Sequence, residues 1–157
     1  MIGLMAGLAM LGAAGGGAAG GTGDRTGDGR DVFGAWYTPD RDSVIAIADC
    51  GDGTPCGTVT WLDAERAQVT IDEHNADAGL RGRPILGITL LSGFETGRQG
   101  SGQGWRGGEI YHPGNGNTYR AKVRRLDADT LEVKGCVGPI CKAQRWVRAP
   151  EAVARAD

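Results

Sequence analysis

"GNGNTYRAKVRRLDADTLEVKG", residues 114–135, reads as a turn, a strand, a second turn and a second strand. The Gly114-Asn115-Gly116-Asn117 run is made of the residues that most readily take the positive backbone angles of tight hairpin turns. After it, Tyr119, Ala121 and Val123 alternate with Arg120, Lys122 and Arg124. A period of two places the first set on one face of a strand and the cations on the other, which is the outward face. The "DADT" turn leads into a second alternation, Leu131 and Val133 against Glu132 and Lys134. Strands joined by so few residues run antiparallel, because a parallel pair needs a long crossover.

The same grammar extends over most of the chain. "VFGAWYT" (32–38) stops at Pro39-Asp40, "SVIAIA" (43–48) stops at a loop of Gly, Asp and Pro, and "GTVTWL" (57–62) stops at Asp63. "PILGITLLSGF" (84–94) is apolar and β-branched enough for a buried strand, with a bulge or bend at Gly87. "WRGGEIYHP" (105–113) and "KAQRWVR" (142–148) complete the series. Only residues 63–83 have some helical character, and Asn75, Gly79 and Gly82 break them up, leaving room for at most one short helix or an irregular excursion. About eight strands with mostly short connections predict an all-β antiparallel meander. Such a meander hides its edges best by closing into a small barrel, whose interior holds side chains or one small ligand. A β-sandwich is the competing architecture.

The first thirty or so of the 157 residues are of another kind. Residues 1–20 read as a signal peptide: an apolar run from Ile2 to about Ala14, too short to span a bilayer, then Ala and Gly suited to cleavage. No Lys or Arg precedes that run. Residues 21–32 read as a flexible Gly-rich linker, 33–149 as a single barrel domain and 150–157 as a disordered tail. The expectation is a periplasmic or secreted protein with no stable membrane span once the signal is removed.

The cysteines agree with export. Cys50 with Cys56 and Cys136 with Cys141 form two close pairs, an even number in a small domain behind a leader. Two local disulfides are the simplest reading, although three connectivities are formally open. Zinc would more naturally use C-x-x-C spacing, and His74 and His112 stand in other segments. Neither pair has the C-x-x-C spacing of a catalytic thiol. A net charge of −2 gives no case for nucleic-acid binding.

Taken together, several short motifs resemble one bacterial exported family, that of domain of unknown function 2147, from Gly34 to Arg148. They are G-A-W (34–36), C-x5-C-G (50–57), D-E-H-N (72–75), R-G-R-P-I-L-G (81–87), W-R-G-G-E-I-Y-H-P (105–113), T-Y (118–119), L-E-V-K-G-C (131–136) and Q-R-W-V-R (144–148). The chain departs from the family pattern at His112-Pro113, where an acidic residue usually precedes the proline, and in its long Gly-rich leader. The resemblance implies a calycin-like fold similar to lipocalins and fatty-acid-binding proteins. Those proteins use a Gly-x-Trp near the first strand and an Arg near the last, here Gly34, Trp36 and Arg148. Physically, an indole can plug one barrel end while a guanidinium stacks over it.

The candidate ligand-binding residues, in a cavity or at a barrel end, are Trp36, Trp61, Trp105, Tyr119, Gln144, Trp146 and Arg148, weighed against the plainer reading that the tryptophans fill a core. Gln144 shares a strand face with Trp146 and would be a polar group inside that needs a partner. Asp72, Asn75 and Asp77 suggest an oxygen cage for calcium but lack the later bidentate Glu, so a loop bonding to itself is the better reading. Arg81 and Arg83 are expected to pair with Asp72 or Glu73. Glu109 and His112, three apart on a strand, point to opposite faces and make a poor acid and base pair. There is no G-x-S-x-G, H-E-x-x-H or phosphate-binding loop, and the Gly-rich 97–108 stretch is read as a mobile mouth or plain loop. The expected function is an exported, non-enzymatic binding protein without metal or cofactor, carrying a small apolar or lipid-like ligand of the fatty acid class. The alternative is an envelope protein with a packed core that binds a protein partner, through a face such as Arg120, Lys122 and Arg124.

Overall fold

The computed structural model describes residues 31–96, 104–150 and 153. The expected signal peptide, most of the linker and nearly all of the tail lie outside the described residues, as do positions 97–103. Eight antiparallel strands follow one another around a closed barrel in chain order. They are β1 (Gly34–Tyr37), β2 (Ser43–Asp49), β3 (Pro55–Leu62), β4 (Thr89–Ser92), β5 (Trp105–His112), β6 (Asn117–Asp127), β7 (Thr130–Val137) and β8 (Ile140–Arg148). The expected all-β meander and its closure are both present.

The alternation in β6 and β7 does what its period requires. Ala121, Val123, Leu131 and Val133 are buried in the core, whereas Arg120 and Lys122 are exposed. The turn between β5 and β6 is held by Gly116 N–H and Asn115 N–H donating to His112 O at 2.8 and 3.2 Å. Gly116 sits at φ +73, and a Cβ there would run into the carbonyl oxygen of His74. Both expected disulfides form, Cys50–Cys56 across the β2–β3 loop and Cys136–Cys141 across the β7–β8 hairpin.

Two local readings need correction, and a third, the 63–83 excursion with at most one short helix, is as expected. The apolar 84–94 stretch is not one strand, because Gly87, at φ +95, turns the chain and only Thr89–Ser92 is extended as β4. The turn sends both Ile85 and Ile88 into the core, while Gly87 N–H donates to Val59 O and Val59 N–H to Ile88 O. Residues 63–83 form an irregular excursion whose only helical turn among the described residues is a 3-10 turn at Ala78–Leu80, capped by Asp77. Finally, Val32, at the end of the stretch read as linker, is fully buried and belongs to the core cluster.

One end of the barrel is closed by packing. Trp36 is completely buried and donates its indole N–H to Val32 O at 2.9 Å. The Arg148 guanidinium lies 4.3 Å from the centre of its ring, and Arg148 Nε donates to Ala128 O at 2.8 Å. A methyl at Gly34, already at φ +124, would fall 2.7 Å from Arg148 Nη1, so the close approach of the guanidinium depends on a residue without Cβ. Trp105, Val123, Leu131 and Trp146 fill the space behind this plug.

Candidate functional site: a cavity in the open end of the barrel

The opposite end is not filled. A cavity of about 780 Å³ enters there, bounded by the β1–β2 loop, residues 65–69 and the β5–β6 turn. Its deep wall includes Val59, Ile85, Ile110, Gln144 and Trp146. Drug-sized ligands occupy pockets of about 300–1,000 Å³ that are mostly apolar with a few placed polar groups.

The strand register explains this wall. Gln144 stands opposite Val133 and Trp146 opposite Leu131, so both point into the barrel as residues two apart on one strand must. The expected partner for Gln144 is close at hand: its Oε1 accepts the Trp146 indole N–H at 3.2 Å. Among the described residues no acceptor meets its amide N–H groups, which leaves them for water or for a bound molecule.

The other candidate residues separate. Trp36 and Arg148 form the closed end, and Trp105 is buried in the core behind it. Tyr119 stands on the inner face of β6 opposite Ile110, but its hydroxyl is taken by Asn115 Nδ2 at 2.9 Å near the turn. Trp61 is the correction. A bulge lets Val59 pair with Ile45 while Trp61 pairs with Val44, and since Ile45 faces the core, Val44 and Trp61 face out. There Trp61 meets Tyr37 edge-on, with ring centres 6.1 Å apart, in the same rung as the buried Val44. Leu62, next in the chain, turns inward and lines the cavity instead.

The mouth is polar and mostly acidic. Asp40, Asp42 and Glu65 stand there with one guanidinium, Arg66, and with His112. Asp42 is fixed by the Thr38 hydroxyl at 2.9 Å and the Ser43 hydroxyl at 3.1 Å. Asp63 accepts the backbone N–H groups of Glu65 and Arg66 at 2.9 and 3.0 Å, which hold its carboxyl below the ordinary range and set those residues at the rim. Asp63 N–H in turn donates to Asp42 O at 2.7 Å, joining the two loops. The Gly-rich 97–108 stretch, read as a mobile mouth or plain loop, includes positions 97–103, which lie outside the described residues; on either side of them β4 ends at Ser92 and β5 begins at Trp105, toward the closed end. Its residues 105–108 are the first half of β5.

Sequence reasoning did not find Tyr111, whose ring lines the cavity and whose hydroxyl donates to Asp72 Oδ1 at 2.5 Å. Asp72 Oδ2 accepts from Asn75 Nδ2 and from Arg83 Nε, each at 2.8 Å. Burial pushes the Asp72 carboxyl up, but these three hydrogen bonds and the Arg83 charge outweigh it and hold the group below the usual carboxylate range. Burial and the neighbouring carboxylate both push the Tyr111 hydroxyl up. The D-E-H-N motif is thus a strut: the loop bonds to itself, as the pattern suggested, and then to β5. Both Asp72 oxygens are taken by these donors. Glu109 points outward opposite Arg120, while His112 is at the mouth.

With this geometry in view, comparison places the chain among known proteins. The model of the family described as "Uncharacterized protein conserved in bacteria (DUF2147)" matches residues 34–148. The chain belongs to that family. A solved structure, protein HP1028 from Helicobacter pylori, described as belonging to the lipocalin family, is similar with a TM-score of 0.64 at 20% identity. The likeness covers 78% of this chain and 86% of that one, and it concerns the fold. No curated protein matches the chain in sequence.

Proposed function

We propose that this barrel is an exported, non-enzymatic carrier that takes one small, mostly apolar molecule through its open end. The observation that carries this reading is the cavity of about 780 Å³ whose deep wall, with Val59, Ile85, Ile110 and Trp146, is aliphatic and aromatic except for Gln144, the other polar residues standing toward the mouth. A core packed solid throughout, as the partner-binding alternative requires, would leave no such space. Two disulfides in a small domain support export, since such bonds persist in oxidising compartments.

The mouth refines the ligand class. A fatty-acid carboxylate seated at the rim meets one guanidinium, Arg66, among the carboxylates of Asp40, Asp42 and Glu65. Like charges there oppose an anionic head, so an uncharged lipid-like molecule is the better fit, with its polar atom accepting from the Gln144 amide. The test is a titration of the folded chain with a fatty alcohol and a fatty acid of equal length, following the emission of Trp146 on the cavity wall. Saturable quenching by the alcohol, lost in Trp146→Phe and weakened in Gln144→Leu, is expected. No saturable response to either compound, with no apolar adduct in native mass spectrometry of material from the source envelope, would overturn the reading.

A further inference from the structure

The barrel closes on two rungs only. β1 pairs with β8 at Trp36–Arg148 and Tyr37–Val147, and β1 ends at Tyr37. β8, by contrast, runs from Ile140, and among the described residues no strand pairs with its outer edge before Val147. Among the described residues β8 is therefore a free sheet edge over most of its length, alongside the gap where the cavity opens between Gln144 and the β1–β2 loop.

Which backbone groups this edge offers follows from the ladder. In an antiparallel pair, opposite residues alternate between a hydrogen-bonded pair and a closer pair that is not. Cys136 and Cys141, with Cα atoms 4.0 Å apart, are a close pair. By alternation Ile140, Lys142, Gln144 and Trp146 turn their N–H and C=O groups toward β7, while Cys141, Ala143 and Arg145 turn theirs away from it. These three residues form an open template for one more strand.

The surroundings select the kind of strand. Lys142 and Arg145 stand exposed on β8; in the next strand Lys134, opposite Ala143, is paired at 3.3 Å with Glu132, which stands opposite Arg145. Cations on an edge keep two like copies apart. They favour an acidic segment instead; the facing loop carries Asp40, Arg41 and Asp42, one net negative charge against the two cations of β8. At the tip of the hairpin Ile140 and Val137 are 77% and 66% exposed, an apolar end on a turn braced by the Cys136–Cys141 disulfide. We propose that the free edge of β8, from Ile140 to Arg145, docks an extended acidic peptide segment by strand addition, with aliphatic residues over the Val137–Ile140 tip. A strand added there lies across the side of the cavity mouth.

The test is amide hydrogen exchange on the full oxidised chain, read residue by residue. The probe is a short synthetic peptide with Glu opposite Lys142 and Arg145 and Val and Thr elsewhere, with a Lys-for-Glu peptide as control. In the free protein the Cys141, Ala143 and Arg145 amides exchange fast and those of Lys142, Gln144 and Trp146 slowly. The acidic peptide is expected to slow the first three by at least about tenfold, and the control to leave them unchanged. Ala143→Pro removes only an outward N–H, a place where an edge strand tolerates proline, so the barrel persists while the peptide no longer binds. Lys142→Glu with Arg145→Glu weakens binding by about tenfold or more without touching the ladder. Equal protection by both peptides, or none by either, would overturn the proposal. So would edge amides already slow in the free protein and quickening on dilution, which would assign the edge to a second copy of the chain. The test does not depend on a ligand in the cavity, so it stands or falls separately from the carrier reading.

Discussion

Removing the Asp72 carboxylate should loosen the mouth of the barrel more than any other single change outside the core. The side chain is fully buried, and it receives the Tyr111 hydroxyl, the Asn75 amide and the Arg83 guanidinium. In Asp72→Ala the guanidinium, 37% exposed, is rehydrated, but Asn75 is almost fully buried and the Tyr111 hydroxyl half so. Stranding buried donors costs about 1–3 kcal/mol each, and breaking a buried ionic contact about 3–5 kcal/mol in all. The expected loss is therefore about 3–5 kcal/mol. Asp72→Asn keeps the shape: its oxygen can accept from Asn75 and Arg83 while its amide donates to the tyrosine oxygen. That variant should lose only about 1–2 kcal/mol, the worth of the charge.

The pH dependence has a defined sign. A carboxyl whose folded pKa is depressed stabilises the fold fully above the unfolded value, about 3.9, and that stability is lost as pH falls through the folded value. Urea unfolding of wild type, Asp72→Asn and Asp72→Ala at neutral pH and at intervals below pH 4 reads both effects. The acid slope of the wild type should be steeper than that of Asp72→Asn. If Asp72→Ala stays within about 1 kcal/mol of wild type, or wild type and Asp72→Asn share one acid profile, the strut is not what holds the 63–88 excursion to β5.

Two further outcomes follow from the closed end and the staples. Gly34→Ala should cost about 1–3 kcal/mol in thermal or urea unfolding, since the new methyl meets the Arg148 guanidinium and the backbone is at positive φ; the cost should shrink in an Arg148→Ala background, and strict additivity would mean that the two do not interact. Replacing Cys50 and Cys56 together by Ser should lower stability by about 2 kcal/mol with the strand signal in circular dichroism retained; an unfolded product would show that this loop organises the barrel.

The strands were legible because their signals are local. Tyr119, Ala121 and Val123 declare a face by their spacing alone, and GNGN declares a turn by backbone chemistry. Gln144 and Trp146 could be placed together for the same reason. What stayed hidden depends on contacts distant in the chain or on a single inserted residue. Tyr111 and Asp72 meet across 39 positions, and no periodicity announces such a pair. The bulge near Thr60 reverses the direction of Trp61, so parity counted from Val59 fails one rung later. Gly87 was recognisable as a bend, yet nothing local told whether the chain continued as a strand on both sides of it. The cavity itself is visible only once Trp36 and Arg148 are seen to fill one end and the 65–69 turn to rim the other.

The described chain enters and leaves the barrel at the same place. Val32 accepts the Trp36 indole N–H and Ala149 donates to Ala35 O, so both termini of the domain emerge beside the plugged end. A domain held just before Val32 or just after Ala149 thus presents its opening away from the point of attachment, like a cup fixed by its base. Labels, surface anchors and fusion partners joined on either side leave the mouth and the β8 edge free, so binding to both can be measured on immobilised protein without circular permutation.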